Sequence, residues 1–355
     1  MGEQRPTVAG MAATEIFEHT LKTDRHTTGY LAAGPIDGPL MFFIHGWPEL
    51  SISWRHQIPV FAGLGFRVIA PDMRGYGRSD TYADTEAFAQ EQIVTDMLEL
   101  HDHLSAGRDE SDAPAIWVGH DWGSPVVWNI ASHHPQRCRG VASLCVPYAV
   151  LERGFASVVE LVNREVYPEA EFPVGQWDYM LYYQENFTRA VEVFGANTYN
   201  TVQALFRKGD PAGRGKPAGT SSIRAGGGWL GGADVFPELP MDPDVVTEAD
   251  LRTYAAALDR NGFFGPDAWY MNHGANEQYS TSMVNNGVLD MPVLFFHGLY
   301  DYTCETTDSR LADPMRANCT NLTEHTIESG HWMAQERPTE VNARLASWII
   351  KSVMN

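Results

Sequence analysis

Positive charge is scarce in this chain. Of 355 residues, 25 are Lys or Arg against 45 Asp or Glu, a formal charge of −20, and only Lys22, Lys208, Lys216 and Lys351 are lysines. That excess of carboxylates repels a phosphate backbone, which excludes nucleic acid and anionic membrane surfaces as default partners. Cysteine is scarce as well. Cys138, Cys145, Cys304 and Cys319 form no CxxC pair and have no His at zinc-finger spacing, so neither a disulfide framework nor a structural metal is expected, and a reducing, cytoplasmic location is. No apolar run approaches the roughly 20 residues that span a membrane. The first twenty residues lack the basic-then-apolar order of a secretory signal, and Pro6 stands where a myristoylation motif needs Ser or Thr. Without such a signal, the Asn-x-Thr sequons at Asn186, Asn318 and Asn321 are read as chance matches. A dinucleotide fingerprint is missing too, since the glycines of 226–232 follow no strand pattern. No cofactor and no metal is expected. What is present, 44% hydrophobic and 20% charged residues, is the composition of a folded globular protein.

At roughly 150 residues per domain, the length allows one large domain or a domain with an insertion. Short apolar runs, LMFFIHG near residue 40, FRVIAPD near 67, AIWVGHD near 115 and GVASLCVP near 140, alternate with helical patterns. That alternation predicts parallel strands joined by crossover helices. Ahead of them, TEIFEHTLKT and HTTGYLAAG predict a β-hairpin. From about 149 to 285 the strand signal gives way to aromatic-rich helical stretches such as WDYMLYYQENFTRAVEVF and TEADLRTYAAALDRNGF, the second opening with Thr247 and Asp250 at capping-box spacing. The α/β pattern resumes with PVLFFHGLYD and closes on the helix PTEVNARLASWIIKSV, with Pro338 at its first position. The predicted organisation is an α/β core over 1–148 and 286–355, a mostly parallel central sheet flanked by helices, with a helical cap inserted at 149–285. Within the cap, residues 207–235 are too rich in glycine for a regular element and too long for an ordinary connection, so a mobile loop beside the pocket, or disorder, is expected.

Ligands in open α/β sheets bind beyond the carboxyl ends of the strands. There, Gly119-His120-Asp121-Trp122-Gly123 has the small-x-nucleophile-x-small shape of a nucleophile elbow, with Asp121 at the nucleophile position. Taken alone, the pentapeptide fits equally a strand-end Asp capping a helix. His45-Gly46-Trp47-Pro48 follows the strand LMFFI, where α/β-hydrolases supply one backbone N–H of an oxyanion hole; the residue after the nucleophile supplies the other. Trp47 and Trp122 would be those donors. Asp301 follows PVLFFHGLY, and His331 precedes the last helix in Gly330-His331-Trp332. Nucleophile, acid and His thus stand in α/β-hydrolase order.

Through HGWPELSISWRHQIP, RVIAPDMRGYGRSD, VGHDWGSPV and SGHWMAQERPTEVNARLASWI, the chain resembles the soluble epoxide hydrolases of the α/β-hydrolase superfamily, whose nucleophile is acidic. The resemblance extends to the two cap segments that carry the family's epoxide-holding tyrosines, WDYMLY and GPDAWYMN, and so implies Tyr179 and Tyr270. It implies that Asp121 attacks the epoxide to form an ester, that Tyr179 and Tyr270 donate to the ring oxygen, and that His331, oriented by Asp301, activates the water that hydrolyses the ester. The Trp47 and Trp122 amides would hold the oxyanion, and Trp47, Trp122 and Trp332 would bind the substrate, a small-molecule epoxide. The protein would act as a monomer or homodimer without a membrane span. Only some fifteen residues precede the hydrolase unit, so no second catalytic domain is expected. Tyr182 and Tyr183 share a helix face with Tyr179 and read as packing residues. His101 and His103, two apart on a helix, face different ways and read as surface histidines; His133 and His134 end a helix, where a cation favours the dipole. A dehalogenase shares the same three residues and is the nearest rival. A binding protein on a disabled hydrolase fold is a more distant one, opposed by the intact set.

Overall fold

The computed structural model describes residues 14–110 and 113–354. Eight strands form one sheet: β1 (Ile16–Lys22), β2 (Thr27–Ala33), β3 (Leu40–Ile44), β4 (Arg67–Pro71), β5 (Ala115–His120), β6 (Cys138–Leu144), β7 (Val293–Gly298) and β8 (Leu322–Ile327). Their spatial order is β1-β2-β4-β3-β5-β6-β7-β8. β1 pairs antiparallel with β2, and β2 antiparallel with β4; the rest of the sheet is parallel. The central strands β3, β5 and β7 are buried along their whole length, which explains why they read as unbroken apolar runs. Edge strand β8 was not foreseen. It pairs on one side only and carries Thr, Glu and His at half-buried positions, so no apolar run marks it.

Helices Gln90–Ser105, Gly123–His133 and Pro338–Trp348 accompany the strands. Stacking of Phe42 on Trp117, with centroids 4.2 Å apart, typifies the aromatic core beneath them; each such side chain contributes about 1.5–3 kcal/mol by burial. Among the described residues, no strand of the sheet falls between β6 and β7. That stretch holds helices Asp178–Gly195, Thr198–Leu205 and Glu248–Asn261, the short turn Phe264–Ala268, and helix His273–Ser280. Thr247 and Asp250 form the expected capping box, each side chain accepting from the other's backbone N–H. The segment 207–235 carries two short 3-10 turns, Pro211–Gly213 and Gly219–Ser222.

Two histidine readings need correction. His103 is exposed but His101 is fully buried, its Nε2 2.8 Å from the Ala113 carbonyl, because it shares the apolar helix face of Ile93, Met97 and Leu100. His133 stacks on Tyr279 at 4.0 Å. Burial, helped by His134, lowers its pKa to about 4, so at neutral pH it brings no charge to the helix end.

Candidate active site

Asp121 sits between β5 and the helix Gly123–His133 with φ of 50°, a left-handed backbone that costs a non-glycine residue energy and is held only when its surroundings demand it. The demand comes from the sharp turn between strand and helix. At Gly123 a Cβ would lie 2.2 Å from the Ile44 carbonyl oxygen, so the helix start passes too close to the end of β3 for any larger residue. The turn lifts the Asp121 side chain out of the sheet. Its Oδ1 accepts the Trp47 backbone N–H at 2.7 Å, and its Oδ2 lies 3.5 Å from His331 Nε2.

His331 Nδ1 is 2.8 Å from Asp301 Oδ2, and Asp301 Oδ1 accepts the Cys304 N–H at 3.0 Å. Burial opposes charge on the His331 ring, but the Asp301 carboxylate and the contacts with Asp121 and Asp301 outweigh it and hold the pKa well above 6.5. Burial likewise pushes Asp301 up, and His331 more than reverses this, leaving it below the ordinary aspartate value. Both shifts describe one ion pair. His331 stands between the Asp121 and Asp301 side chains, at 3.5 and 2.8 Å.

A cavity of about 360 Å³ opens on these groups, with Trp47, Asp121, Tyr179, Tyr270, His331 and Trp332 in its walls. Tyr179 and Tyr270 face each other edge to face at 5.7 Å. Burial raises both phenols well above 10, so both keep their protons. The 207–235 segment lends further wall residues, among them Lys208, Thr220 and Trp229. Trp122 is not among the wall residues: its ring is buried, edge-on to Tyr270 at 5.1 Å. Tyr182 is buried, and Tyr183 stacks on Tyr270 at 4.3 Å.

Sequence reasoning missed a second buried pair. Glu49 Oε2 meets His120 Nδ1 at 2.7 Å and the Gly46 N–H at 3.0 Å, while His120 Nε2 reaches the His331 carbonyl at 2.8 Å. Both residues stood inside quoted motifs, HGWPE and GHDWG, yet nothing in the spacing linked them. Thiols flank His331 too: Cys145 and His120 form one group of possible metal ligands with it, and Cys304 and Asp301 another. Both ring nitrogens of His331 already face carboxylates, so the grouping reads as a hydrogen-bonded cage.

Residues 39–338 match the family described as alpha/beta hydrolase fold. Epoxide hydrolase A of Mycobacterium tuberculosis is 33% identical over 323 residues, covering 89% of this chain and 92% of that protein. Bifunctional epoxide hydrolase 2 of Rattus norvegicus is 32% identical over 324 residues, and there the chain spans 53% of the relative's length. The crystal structure of epoxide hydrolase A from Mycobacterium thermoresistibile superposes with a TM-score of 0.74 at 30% identity, covering 95% of this chain and 99% of that one. The chain belongs to the alpha/beta hydrolase fold family, beside its members named epoxide hydrolases.

Proposed function

We propose that the protein converts epoxides and water to vicinal diols through an ester on Asp121. The observation that carries this reading is the division of labour between the two Asp121 oxygens: Oδ1 rests on the Trp47 amide while Oδ2 faces His331 and the cavity bearing Tyr179 and Tyr270. An epoxide has no carbonyl, so the first bond must form at a ring carbon, and a carboxylate attacks without needing a base. Oδ2 bonds to that carbon, the C–O bond breaks, and the ring oxygen leaves as an alkoxide that takes a proton from Tyr179 or Tyr270. The ester carbonyl is then Oδ1, already on the Trp47 amide.

Alkylation also removes one of the two charges that hold the His331 proton. His331 sheds it to restore the tyrosine, and as a neutral base it takes a proton from the water attacking the ester carbonyl. The Trp47 and Trp122 amides stabilise the tetrahedral oxyanion. Collapse breaks the Cγ–Oδ2 bond and expels the diol, whose Oδ2 takes the proton of the added OH, and regenerates the Asp121 carboxylate, now holding the water oxygen, beside protonated His331.

One turnover in heavy-oxygen water tests this, with styrene-type, aliphatic and fatty-acid epoxides run beside haloalkanes. Label in the Asp121 carboxylate and release of diol are expected; label in the diol alone, or halide release without diol, defeats the reading. In the same assay Tyr179→Phe/Tyr270→Phe loses about one to two decades in rate per hydroxyl removed, from 1.5 to 3 kcal/mol of lost hydrogen bonding to developing charge.

A further inference from the structure

Asp267 is fully buried in the short turn Phe264–Ala268, three residues before Tyr270. Its Oδ1 accepts the Trp47 indole N–H at 2.9 Å, and its Oδ2 has no hydrogen-bond partner among the described residues. A carboxyl group in that state is a costly choice for a purely structural contact, because an apolar side chain of the same size would fill the space without desolvating an oxygen. Burial pushes its pKa well above the carboxylate range, with only the Trp47 bond opposing.

The segment holding Asp267 is bolted to the core at several points. Gly265 crosses Gly75 backbone to backbone, so close that a Cβ on Gly265 would lie 2.9 Å from the Gly75 Cα. Trp269 Nε1 donates to the Arg74 carbonyl at 3.2 Å, and Asn272 Nδ2 to the Thr85 carbonyl at 2.8 Å. Those contacts dock the segment on the core, but none of them touches the loop that bears the oxyanion donor. Asp267 does. Trp47 presents its backbone N–H to Asp121, its indole N–H to Asp267, and its ring, edge-on at 6.0 Å, to Tyr270.

We propose that Asp267 is a positioning residue, which through the Trp47 indole fixes the oxyanion amide and the Tyr270 hydroxyl in register across the cap–core seam. This rests on the epoxide-opening reading, and misplacement by as little as 1 Å is enough to slow such a reaction.

The test measures single-turnover ester formation by intact mass, with KM from steady state, on wild type, Asp267→Leu, Asp267→Asn, Trp47→Phe and the double variant Trp47→Phe/Asp267→Leu. Asp267→Leu should slow ester formation about tenfold with KM within about twofold, since the substrate's own contacts persist. Asp267→Asn keeps an acceptor for the indole and should recover to within about threefold of wild type. In the Trp47→Phe background, where no indole N–H remains, Asp267→Leu should add almost nothing. A wild-type rate in Asp267→Leu, equal losses in the Leu and Asn variants, or an undiminished further loss in the Trp47→Phe background overturns the proposal. Should Asp267→Leu not fold, Trp47→Phe must itself show the tenfold loss that Asp267→Asn lacks, and any other result counts against it. A wild type that forms no ester at all refutes the epoxide reading instead, so the two failures are distinguishable.

Discussion

At the scale of single residues, charges buried in pairs surround the cavity, and the Glu49–His120 pair offers the sharpest prediction. Both side chains are almost wholly buried. Burial raises Glu49, but His120 reverses this and holds it at about 2 against an ordinary 4.5; burial lowers His120, and Glu49 more than compensates. A carboxylate with a depressed pKa contributes stability that is complete above about pH 4.5 and fades as the pH falls toward 2. A histidine with a raised pKa contributes stability that is complete below about 6.5 and fades as the pH climbs through its raised value. The pair is therefore worth most between those limits. Glu49→Gln leaves a buried cation without its partner and should cost about 3–5 kcal/mol in urea unfolding near pH 5.5, the deficit shrinking as the pH drops below 4.5. A deficit unchanged from pH 6 down to 3 would mean that packing, not charge, is lost. Residues of this kind were poorly legible in the sequence. Asp121, Asp301 and His331 could be found because each follows a strand or precedes a helix in a fixed chain order. Asp267 lies 220 residues from the indole it binds, and only docking of the two segments brings them together.

Elements were easier to read, and the reason is periodicity. Strands buried on both faces announce themselves as apolar runs, as β3, β5 and β7 do, whereas β8 at the edge does not. The helix Gln90–Ser105 shows the reverse failing: its polar HxH pair drew attention to spacing two apart, while the 3.6-residue period had already placed His101 with Ile93, Met97 and Leu100. The helix Glu248–Asn261 was anticipated down to its cap. There Thr247 accepts the Asp250 N–H at 3.2 Å and Asp250 accepts the Thr247 N–H at 2.8 Å, and Asp250 also pairs with Arg55 of the core at 3.2 Å. Thr247→Ala removes only the threonine's half of the box. It should lower stability by about 1 kcal/mol and leave single-turnover ester formation unchanged, because no residue of the helix is among the cavity's wall residues. Thermal melts beside the ester assay check both halves, and a rate loss larger than the stability loss would connect this helix to the cavity.

Across the whole molecule, the excess of 20 carboxylates meets a scaffold in which many cations are already engaged. Arg74 grips buried Asp96 at 2.7 Å, Arg224 holds Asp178 and Glu185, Arg214 holds Asp308, and Arg316 holds Glu324. Pairs exposed to solvent are worth about 0–1 kcal/mol each, so salt takes little from them, and the pair at Asp96 is shielded from salt by burial. The unpaired carboxylates repel one another over distances that salt shortens, because the screening length falls from about 30 Å at 0.01 M to about 8 Å at 0.15 M. Repulsion among them is relieved when the chain unfolds and expands, so at low salt it works against the fold. Raising sodium chloride from 10 to 150 mM at pH 7.5 should therefore stabilise the protein by about 1 kcal/mol, a rise of roughly 1–2 °C in Tm. Scanning calorimetry at the two salt concentrations decides the matter. A fall in Tm would mean that the arginine pairs outweigh the surplus acids, and that the fold tolerates its charge through local pairing alone.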